Sequence, residues 1–299
     1  MNILKMFKKK EKVRRSFSEK ILFTTVFIIF SLYAITLLIP TGWLIMSSLK
    51  DPVDFFLDKT FGKPFNLPKS LCWDNYKQAF ELIQHNDVTF LGMFFNSVWI
   101  TVACTGLGLV VGAGYAYALS RFKFFGSNIL YGIIIFQMTI PLFGTGGANM
   151  QLAVDSGLYD TPLWIIFLSL GGGGMNFMIF YGAFKNLPKD YSEAVYIDGG
   201  GEFTIYFKIM LPFAMPIFVS LFVLNGMTCW NDYMTPMLYM PSWPTLASGM
   251  YLARDSLIQG GYDAIYFAAT IISVLPMLIV YIAFNDLIMK NVSIGGLKG

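Results

Sequence analysis

Residues 21–46 read ILFTTVFIIFSLYAITLLIPTGWLIM and contain no charged side chain. An apolar stretch of about 20 residues can cross the hydrocarbon core of a bilayer as a helix. This stretch is too long for the core of a signal peptide, and no small-residue cleavage site follows it. The sequence therefore predicts a first transmembrane helix at residues 21–46 that remains as an anchor.

Five further apolar stretches follow, so the sequence predicts an all-α polytopic membrane protein with six transmembrane helices. They cover residues 91–119, 125–143, 162–184, 211–230 and 264–284, and none contains Asp, Glu, Lys, Arg or His. Charged residues make up 13% of the chain, against roughly 25% in a typical soluble domain. This low charge disfavours an ordinary soluble enzyme, and a disordered chain is excluded because 17% of the residues are aromatic.

The distribution of Lys and Arg predicts the orientation of these spans. Eight of them precede residue 21. A basic arm can bind nucleic acid, but this one adjoins an apolar run, which favours anchoring on the cytoplasmic side, and no nucleic-acid partner is expected. Six spans place both termini on that side, and the cytoplasmic segments then hold 15 of the 21 Lys and Arg residues. We expect cytoplasmic N- and C-termini.

The spans leave soluble segments of unequal length. They are a basic cytoplasmic tail at 1–20, an extracytoplasmic loop at 47–90, an inner loop at 189–210, an outer loop at 231–263 and a cytoplasmic tail at 286–299.

The chain lacks the residues that drive chemistry inside a membrane. Charged side chains in spans mark proton relays and ion pathways, and a carboxylate-driven proton symporter is expected to carry at least one. His85, the single histidine, lies in a loop with Asp87 nearby and forms neither a metal site nor a nucleophile–base pair. The sequence therefore predicts no catalytic residue and no metal site, which disfavours a membrane enzyme.

Neutral amides in the spans are candidates for a pore or substrate path. An amide offers hydrogen-bond donors and acceptors without charge, which suits a hydroxylated neutral solute. The alternative is hydrogen bonding between helices. The candidates are Asn96, Gln137, Asn176 and Asn225.

Two groups of glycines bear on helix packing. Gly108 and Gly112 form a small-xxx-small step that permits close contact with another helix. Residues 171–174 are four consecutive glycines, which either break the fourth span or allow it to pack tightly.

The inner loop continues into the fifth span and has the most informative pattern. Residues 193–212 read EAVYIDGGGEFTIYFKIMLP. They predict a short helix over 189–197, a glycine turn, and a second helix over 202–210, after which Pro212 opens the fifth span. Glu193 and Asp198 are available to a basic partner. The alternative is an ordinary loop at the membrane interface.

These residues resemble the EAA loop of permease subunits from binding-protein-dependent ABC importers. That loop has the form Glu-Ala-Ala, three residues, Gly, nine residues, Ile, one residue, Leu-Pro. The matching positions here are Glu193, Ala194, Gly199, Ile209, Leu211 and Pro212, while Val195 replaces the second alanine. The resemblance implies that Glu193, Ala194, Val195, Asp198 and Gly199 dock in a cleft of a separate cytoplasmic ATPase.

Other stretches resemble the maltose-type sugar permeases, in particular the subunit with a glycine-rich C-terminal tail. They are Asn96-Ser97, residues 115–122, Trp230-Asn231-Asp232 and residues 295–299. The resemblance implies a type I ABC importer permease fold with its core at 91–285, in the plasma membrane of a bacterium. The outer loop resembles a segment that contacts the binding protein, with Trp243, Tyr251 and Tyr262 as candidate contacts.

The resemblance also implies the partners and the function. A second homologous permease completes the pore, two ATPase subunits bind ATP and Mg²⁺, and an extracytoplasmic sugar-binding protein delivers the solute. The chain itself binds no cofactor, consistent with the lack of a P-loop motif. A non-catalytic permease subunit for a carbohydrate is therefore expected. The alternatives are an importer of a non-sugar solute and a secondary transporter.

Overall fold

The computed structural model describes residues 16–140, 144–171 and 174–294, with side chains up to residue 289. The described chain is mostly helical, and its strands are two short antiparallel ones that form a hairpin, β1 (Gln84–His85) and β2 (Val88–Thr89). The all-α prediction is confirmed. The basic residues before residue 16, residues 141–143 of the third predicted span, residues 172–173 and the tail 295–299 lie outside the described residues.

The helices follow one another along the chain with short connections. In chain order they are α1 (Phe17–Ser48), α2 (Pro52–Thr60), α3 (Asp74–Leu82), α4 (Phe90–Arg121), α5 (Ser127–Thr139), α6 (Thr145–Asp155), α7 (Pro162–Ser169), α8 (Met175–Lys185), α9 (Asp190–Ile197), α10 (Glu202–Ile205), a π-helical turn (Tyr206–Met210), α11 (Leu211–Asn231), α12 (Met234–Tyr239), α13 (Leu246–Gln259) and α14 (Asp263–Ile294).

Four helices in the described part of the chain are long and apolar enough to cross a membrane. They are Phe17–Ser48, Phe90–Arg121, Glu202–Asn231 and Asp263–Met289. The third of them joins α10, the π turn and α11 into one continuous helix. These four helices match the first, second, fifth and sixth predicted spans.

The third and fourth predicted spans are not single long helices. Helix α5 has 13 residues, which corresponds to about 20 Å and is shorter than the ~30 Å hydrocarbon core. The fourth predicted span is divided into α7 and α8, and Gly174 before α8 has a φ of +85°. The span is therefore broken at Gly174, as one of the two interpretations of residues 171–174 predicted. The count of six spans stays a prediction, and so does the cytoplasmic position of both termini.

Helix α4 is the central helix of the fold, because it contributes to three separate clusters of buried side chains. Its C-terminal half packs against α8, its N-terminal end against α13 and α14, and its middle against α7 and α12. Inside a bilayer, such packing is stabilised by van der Waals contact rather than by removal of apolar surface from water. The α4 residues in these clusters are Phe90, Met93, Ile100, Cys104, Leu109, Ala113, Ala116 and Tyr117.

The contact between α4 and α7 depends on a glycine. A Cβ atom added to Gly108 would lie 2.9 Å from the carbonyl oxygen of Ser169, the last residue of α7. The predicted close contact at Gly108 is therefore present. Gly112, one turn further along α4, is also buried.

The segment predicted as an extracytoplasmic loop at 47–90 is folded. Lys50 is buried at 1% exposure and donates to Asp58 Oδ2 at 2.9 Å. This bond holds the pKa of the Asp58 carboxyl below its usual range. The buried Asn75 amide donates to the carbonyl oxygens of Lys50 and of the last residue of α1, at 2.7 and 2.8 Å. Because Lys59 also pairs with Asp263 at 2.9 Å, the segment is attached to the start of α14.

Candidate functional site

The candidate docking segment consists of α9, the glycine turn and α10. Helix α9 begins at Asp190 and ends at Ile197, within one residue of the predicted helix at each end. The amide of Gly199 donates to the Tyr196 carbonyl at 3.0 Å, and the amide of Gly200 donates to the Val195 carbonyl at 2.8 Å. This pair of bonds is the Schellman motif, which places a left-handed residue after the helix. Gly199 has a φ of +75°, so the motif glycine is required by the backbone.

The docking segment presents a free outer surface. Glu193, Ala194, Asp198 and Gly199 are all exposed. In the described part of the chain, neither the Glu193 nor the Asp198 carboxylate forms a salt bridge. Val195 instead is half-buried and packs against the buried cluster that α4, α8, α10, the π turn and α11 share. One side of α9 is thus fixed to the membrane domain, while its carboxylates remain available to a partner.

Two large apolar side chains extend this surface. Ile197 at the end of α9 is 86% exposed, and Phe203 in α10 is 82% exposed. Exposed apolar side chains beside unpaired carboxylates are typical of a protein interface. No role for Ile197 was predicted from the sequence, although its position between Glu193 and Gly199 was a usable signal.

The remaining motif residues form the link to the membrane span. Ile209 and Leu211 are half-buried and Pro212 is exposed. Pro212 is the second residue of α11, at the predicted start of the fifth span, but α10 and the π turn join α11 in one continuous helix from residue 202 to residue 231. Proline lacks an amide hydrogen, and its ring collides with the carbonyl four residues earlier in an α-helix. The π turn at Tyr206–Met210 ends two residues before Pro212 and accommodates the missing hydrogen bond.

Val195 and Gly200 fit each other closely at the turn. A Cβ atom on Gly200 would lie 2.5 Å from Val195 Cγ1 and 3.3 Å from Thr204 Cγ2. The valine that departs from the EAA pattern therefore occupies the space that a side chain at position 200 needs.

Gly200→Ala is expected to destabilise the docking segment by about 1–3 kcal/mol through overpacking. Val195→Ala in the same chain removes the clashing methyl group and should restore most of the loss. Limited proteolysis of the segment in detergent measures the effect. Gly201→Ala is the matched control, because nothing lies within 4 Å of a Cβ atom there. Equal behaviour of Gly200→Ala and Gly201→Ala would contradict the prediction.

The C-terminal end of α4 forms hydrogen bonds with the docking segment and with the chain just before it. Tyr117 donates its hydroxyl hydrogen to Glu202 Oε2 at 2.6 Å, and Tyr196 of α9 donates to the other oxygen of the same carboxylate. The bond to Glu202 raises the pKa of Tyr196. Arg121 Nη2 donates to the Leu187 carbonyl at 3.0 Å. These contacts were not predicted from the sequence, although Tyr117 and Arg121 lie in the stretch 115–122 that resembles the sugar permeases.

The four amide candidates for a substrate path have different surroundings in the structure. Asn225 of α11 donates to Asn176 of α8, with 3.1 Å between Nδ2 and Oδ1. Asn96 instead donates to the Pro244 carbonyl at 3.0 Å and so holds the segment before α13. Gln137 is exposed on α5. Only Asn176 and Asn225 are therefore brought together.

The predicted outer loop at 231–263 is largely helical, because it contains α12 and α13. Ser97 Oγ in α4 accepts a bond from the Leu246 amide at 2.7 Å, which fixes the start of α13. Trp243, Tyr251 and Tyr262 are 43–44% exposed. All three remain accessible to another protein.

An open depression lies at the end of α11, next to this segment. Its volume is about 480 Å³, and its lining includes Thr228, Asn231, Asp232 and Tyr233. The Tyr233 ring stacks on Tyr251 with 4.4 Å between centroids. No role for Thr228 or Tyr233 was predicted from the sequence.

Residues 75–294 match the model of the family described as binding-protein-dependent transport system inner membrane component. The chain belongs to this family. The match spans α3 to α14 and so includes the docking segment and three of the four long apolar helices. This inner membrane component is therefore a membrane protein of a transport system.

Named relatives align with the inner membrane component over most of their length. The diacetylchitobiose uptake system permease protein NgcG of Streptomyces coelicolor is 30% identical, over 88% of this chain and 85% of that protein. The arabinooligosaccharides transport system permease protein AraQ of Bacillus subtilis is 26% identical, over 90% of this chain and 94% of that protein. These relatives are permease proteins.

A solved structure has the same fold. A chain in the crystal structure of a bacterial ABC transporter involved in the import of the acidic polysaccharide alginate superposes with a TM-score of 0.73. It is 22% identical, and the alignment covers 91% of this chain and 98% of that one. The predicted ABC importer permease fold is thus confirmed for the inner membrane component.

Proposed function

We propose that this inner membrane component is the permease subunit of an ATP-driven importer for a carbohydrate. It forms half of the translocation pore, and a second homologous permease forms the other half. The observation that carries the proposal is the exposed docking segment with free carboxylates at Glu193 and Asp198, in a chain whose apolar stretches contain no charge. Such a chain needs an external source of energy and presents a surface through which to receive it.

The source of energy is a pair of cytoplasmic ATPase subunits. They bind ATP and Mg²⁺, while this chain holds no cofactor and catalyses no reaction. Helix α9 lies in a cleft of one ATPase, with Glu193 and Asp198 facing basic groups. Because α9 is joined through the glycine turn to the helix from residue 202 to residue 231, closure of the ATPases on ATP moves this span.

The substrate class is supported by the relatives and by the polar groups near the end of α11. The named relatives take up diacetylchitobiose and arabinooligosaccharides. In this chain, the Asn176–Asn225 pair and the Thr228 and Asn231 side chains offer neutral hydrogen-bonding groups along α8 and α11. Neutral donors and acceptors suit the hydroxyl groups of a sugar.

An extracytoplasmic sugar-binding protein delivers the substrate to the opposite end. A second solved structure supports this arrangement, since its bacterial alginate ABC transporter is in complex with an alginate pentasaccharide-bound periplasmic protein. The fold similarity to that structure has a TM-score of 0.61. Trp243, Tyr251 and Tyr262 are the contacts we assign to the binding protein in this chain.

Co-purification and uptake together test the proposal. The tagged chain is expressed with the products of its neighbouring genes and isolated in mild detergent. A second permease and an ATP-hydrolysing subunit are expected to co-purify. Vesicles that contain the complex and the binding protein should then take up a labelled oligosaccharide from a panel of chito-, arabino- and alginate oligomers, only when ATP is present.

The outcomes separate the parts of the proposal. Absence of a co-purifying ATPase would contradict the importer. A co-purifying ATPase with ATP-dependent uptake of labelled peptides, and of none of the oligosaccharides, would contradict the carbohydrate assignment alone.

A further inference from the structure

The hinge between α9 and the span that follows consists of three consecutive glycines, Gly199–Gly201. Glycine restricts the backbone less than any other residue, so this turn transmits force poorly by itself. Two contacts supplement it. Val195 packs on the buried cluster that α4, α8, α10, the π turn and α11 share, and the Glu202 carboxylate accepts one hydrogen bond from α9 and one from α4.

The hydrogen bond from α4 to the Glu202 carboxylate comes from Tyr117, whose side chain is held in place by its neighbours. Its ring is 7% exposed and packs against three aromatic rings, with centroid distances of 4.9 Å to Tyr206, 5.7 Å to Phe122 and 6.1 Å to Phe184. Its hydroxyl oxygen lies 2.6 Å from Glu202 Oε2. Hydrogen bonds to an ionised carboxylate are short and roughly twice as strong as bonds between neutral groups.

The hydrogen bond from α9 to the same carboxylate comes from a solvent-exposed tyrosine. Tyr196 is 51% exposed and donates to Glu202 Oε1. Each phenol donates a hydrogen bond to a different oxygen of one carboxylate. A displacement of α9 therefore displaces Glu202, and through Glu202 it displaces Tyr117. Tyr117 lies in the helix that enters all three buried clusters.

We infer that Glu202 is a positioning residue that transmits the movement of α9 to α4 through Tyr196 and Tyr117. The inference rests on the proposed function, because it assigns a second route for the force that the ATPase applies to α9. One route runs along the backbone into the fifth predicted span. The other crosses the carboxylate into the second predicted span, so both helices respond to a single docking event.

The test compares variants of the whole importer complex in vesicles, with ATP hydrolysis and solute uptake measured in the same sample. Glu202→Ala removes both bonds, and Tyr117→Phe and Tyr196→Phe remove one each. In each variant the ATPase should still co-purify and hydrolyse ATP, while the number of solute molecules transported per ATP falls about tenfold or more, the scale of losing one hydrogen bond to a charged group. Glu202→Gln should be intermediate, because an amide has one acceptor oxygen.

Two further comparisons distinguish transmission from a structural role. The double variant Glu202→Ala with Tyr117→Phe should lose no more coupling than Glu202→Ala alone, since both changes break the same bond. Tyr115→Phe is the matched control, because it removes a phenol oxygen from the same helix at a position that is 48% exposed and should leave coupling unchanged. A purely structural defect would instead lower the yield of complex, ATP hydrolysis and uptake together.

Wild-type coupling in Glu202→Ala would overturn the inference and leave the proposed function intact. Failure of Glu202→Ala, Glu202→Gln and Tyr117→Phe to assemble would also overturn it, because the carboxylate would then be structural. Absence of ATP-driven uptake in the unmodified complex would overturn the proposed function itself.

Discussion

Glu193→Lys is expected to abolish ATP-driven uptake through this permease. Glu193 lies in the first turn of α9, where a negative charge is favoured by the helix dipole. It is exposed and forms no ion pair in the described part of the chain. A lysine there weakens the end of α9 and places a positive charge against the basic groups we expect in the ATPase cleft. Binding of the ATPase should become about 30-fold weaker or more.

Two variants make the Glu193 result specific. Glu193→Gln removes the charge but keeps the length of the side chain, so an intermediate loss is expected. Asp190→Lys applies the same charge reversal to the first residue of α9, outside the EAA pattern, and should have a smaller effect. Co-purification of the ATPase with the tagged chain and uptake into vesicles measure both steps. If Glu193→Lys retained the ATPase and normal uptake, the docking role of α9 would be wrong.

Gly108→Leu is expected to prevent stable packing of α4 against α7. The Cβ atom alone would lie 2.9 Å from the backbone oxygen of Ser169, and a backbone atom cannot rotate away as a side chain can. Gly108→Ala should already cost about 1–3 kcal/mol by overpacking, although alanine favours a helix by about 1 kcal/mol relative to glycine. Leucine adds three more carbons, so little monodisperse protein should be recovered by size-exclusion chromatography in detergent.

Gly114→Ala is the control for this contact. Gly114 lies in the same helix, and nothing lies within 4 Å of a Cβ atom there. The thermal unfolding temperature of the Gly114→Ala variant should be unchanged or slightly raised, because alanine has a higher helix propensity than glycine. A Gly108→Leu chain that elutes and unfolds like the unmodified protein would show that α4 and α7 do not pack closely.

The parts of the fold that depend on local sequence were predictable. A long uncharged apolar run determines a helix of matching length, as in α1 and α4. The helix-turn-helix of the inner loop was also predictable, since capping glycines and a short polar helix are local features. The division of the fourth predicted span at Gly174 could not be decided, because hydropathy measures the length of an apolar run and not its backbone angles.

Contacts between residues far apart in the chain could not be predicted from the sequence. The ion pair that attaches residues 47–90 to the bundle joins Lys59 to Asp263, 204 positions apart. The bond from Tyr117 to Glu202 joins residues 85 positions apart. A carboxylate or an amide can bond to many partners, so the residue type alone did not distinguish Asn96, which holds a loop, from Asn176 and Asn225, which bond to each other.

The π turn before Pro212 sets the angular relation between the docking segment and the span. A π-helical turn holds one more residue than an α-helical turn, and each residue advances a helix by about 100°. Side chains before Tyr206 are therefore rotated by about that angle from where an uninterrupted helix would place them relative to α11. With this rotation, the Glu202 side chain faces Tyr117. The spacing of nine residues between Gly199 and Ile209 thus fixes a direction in space as well as a distance along the chain.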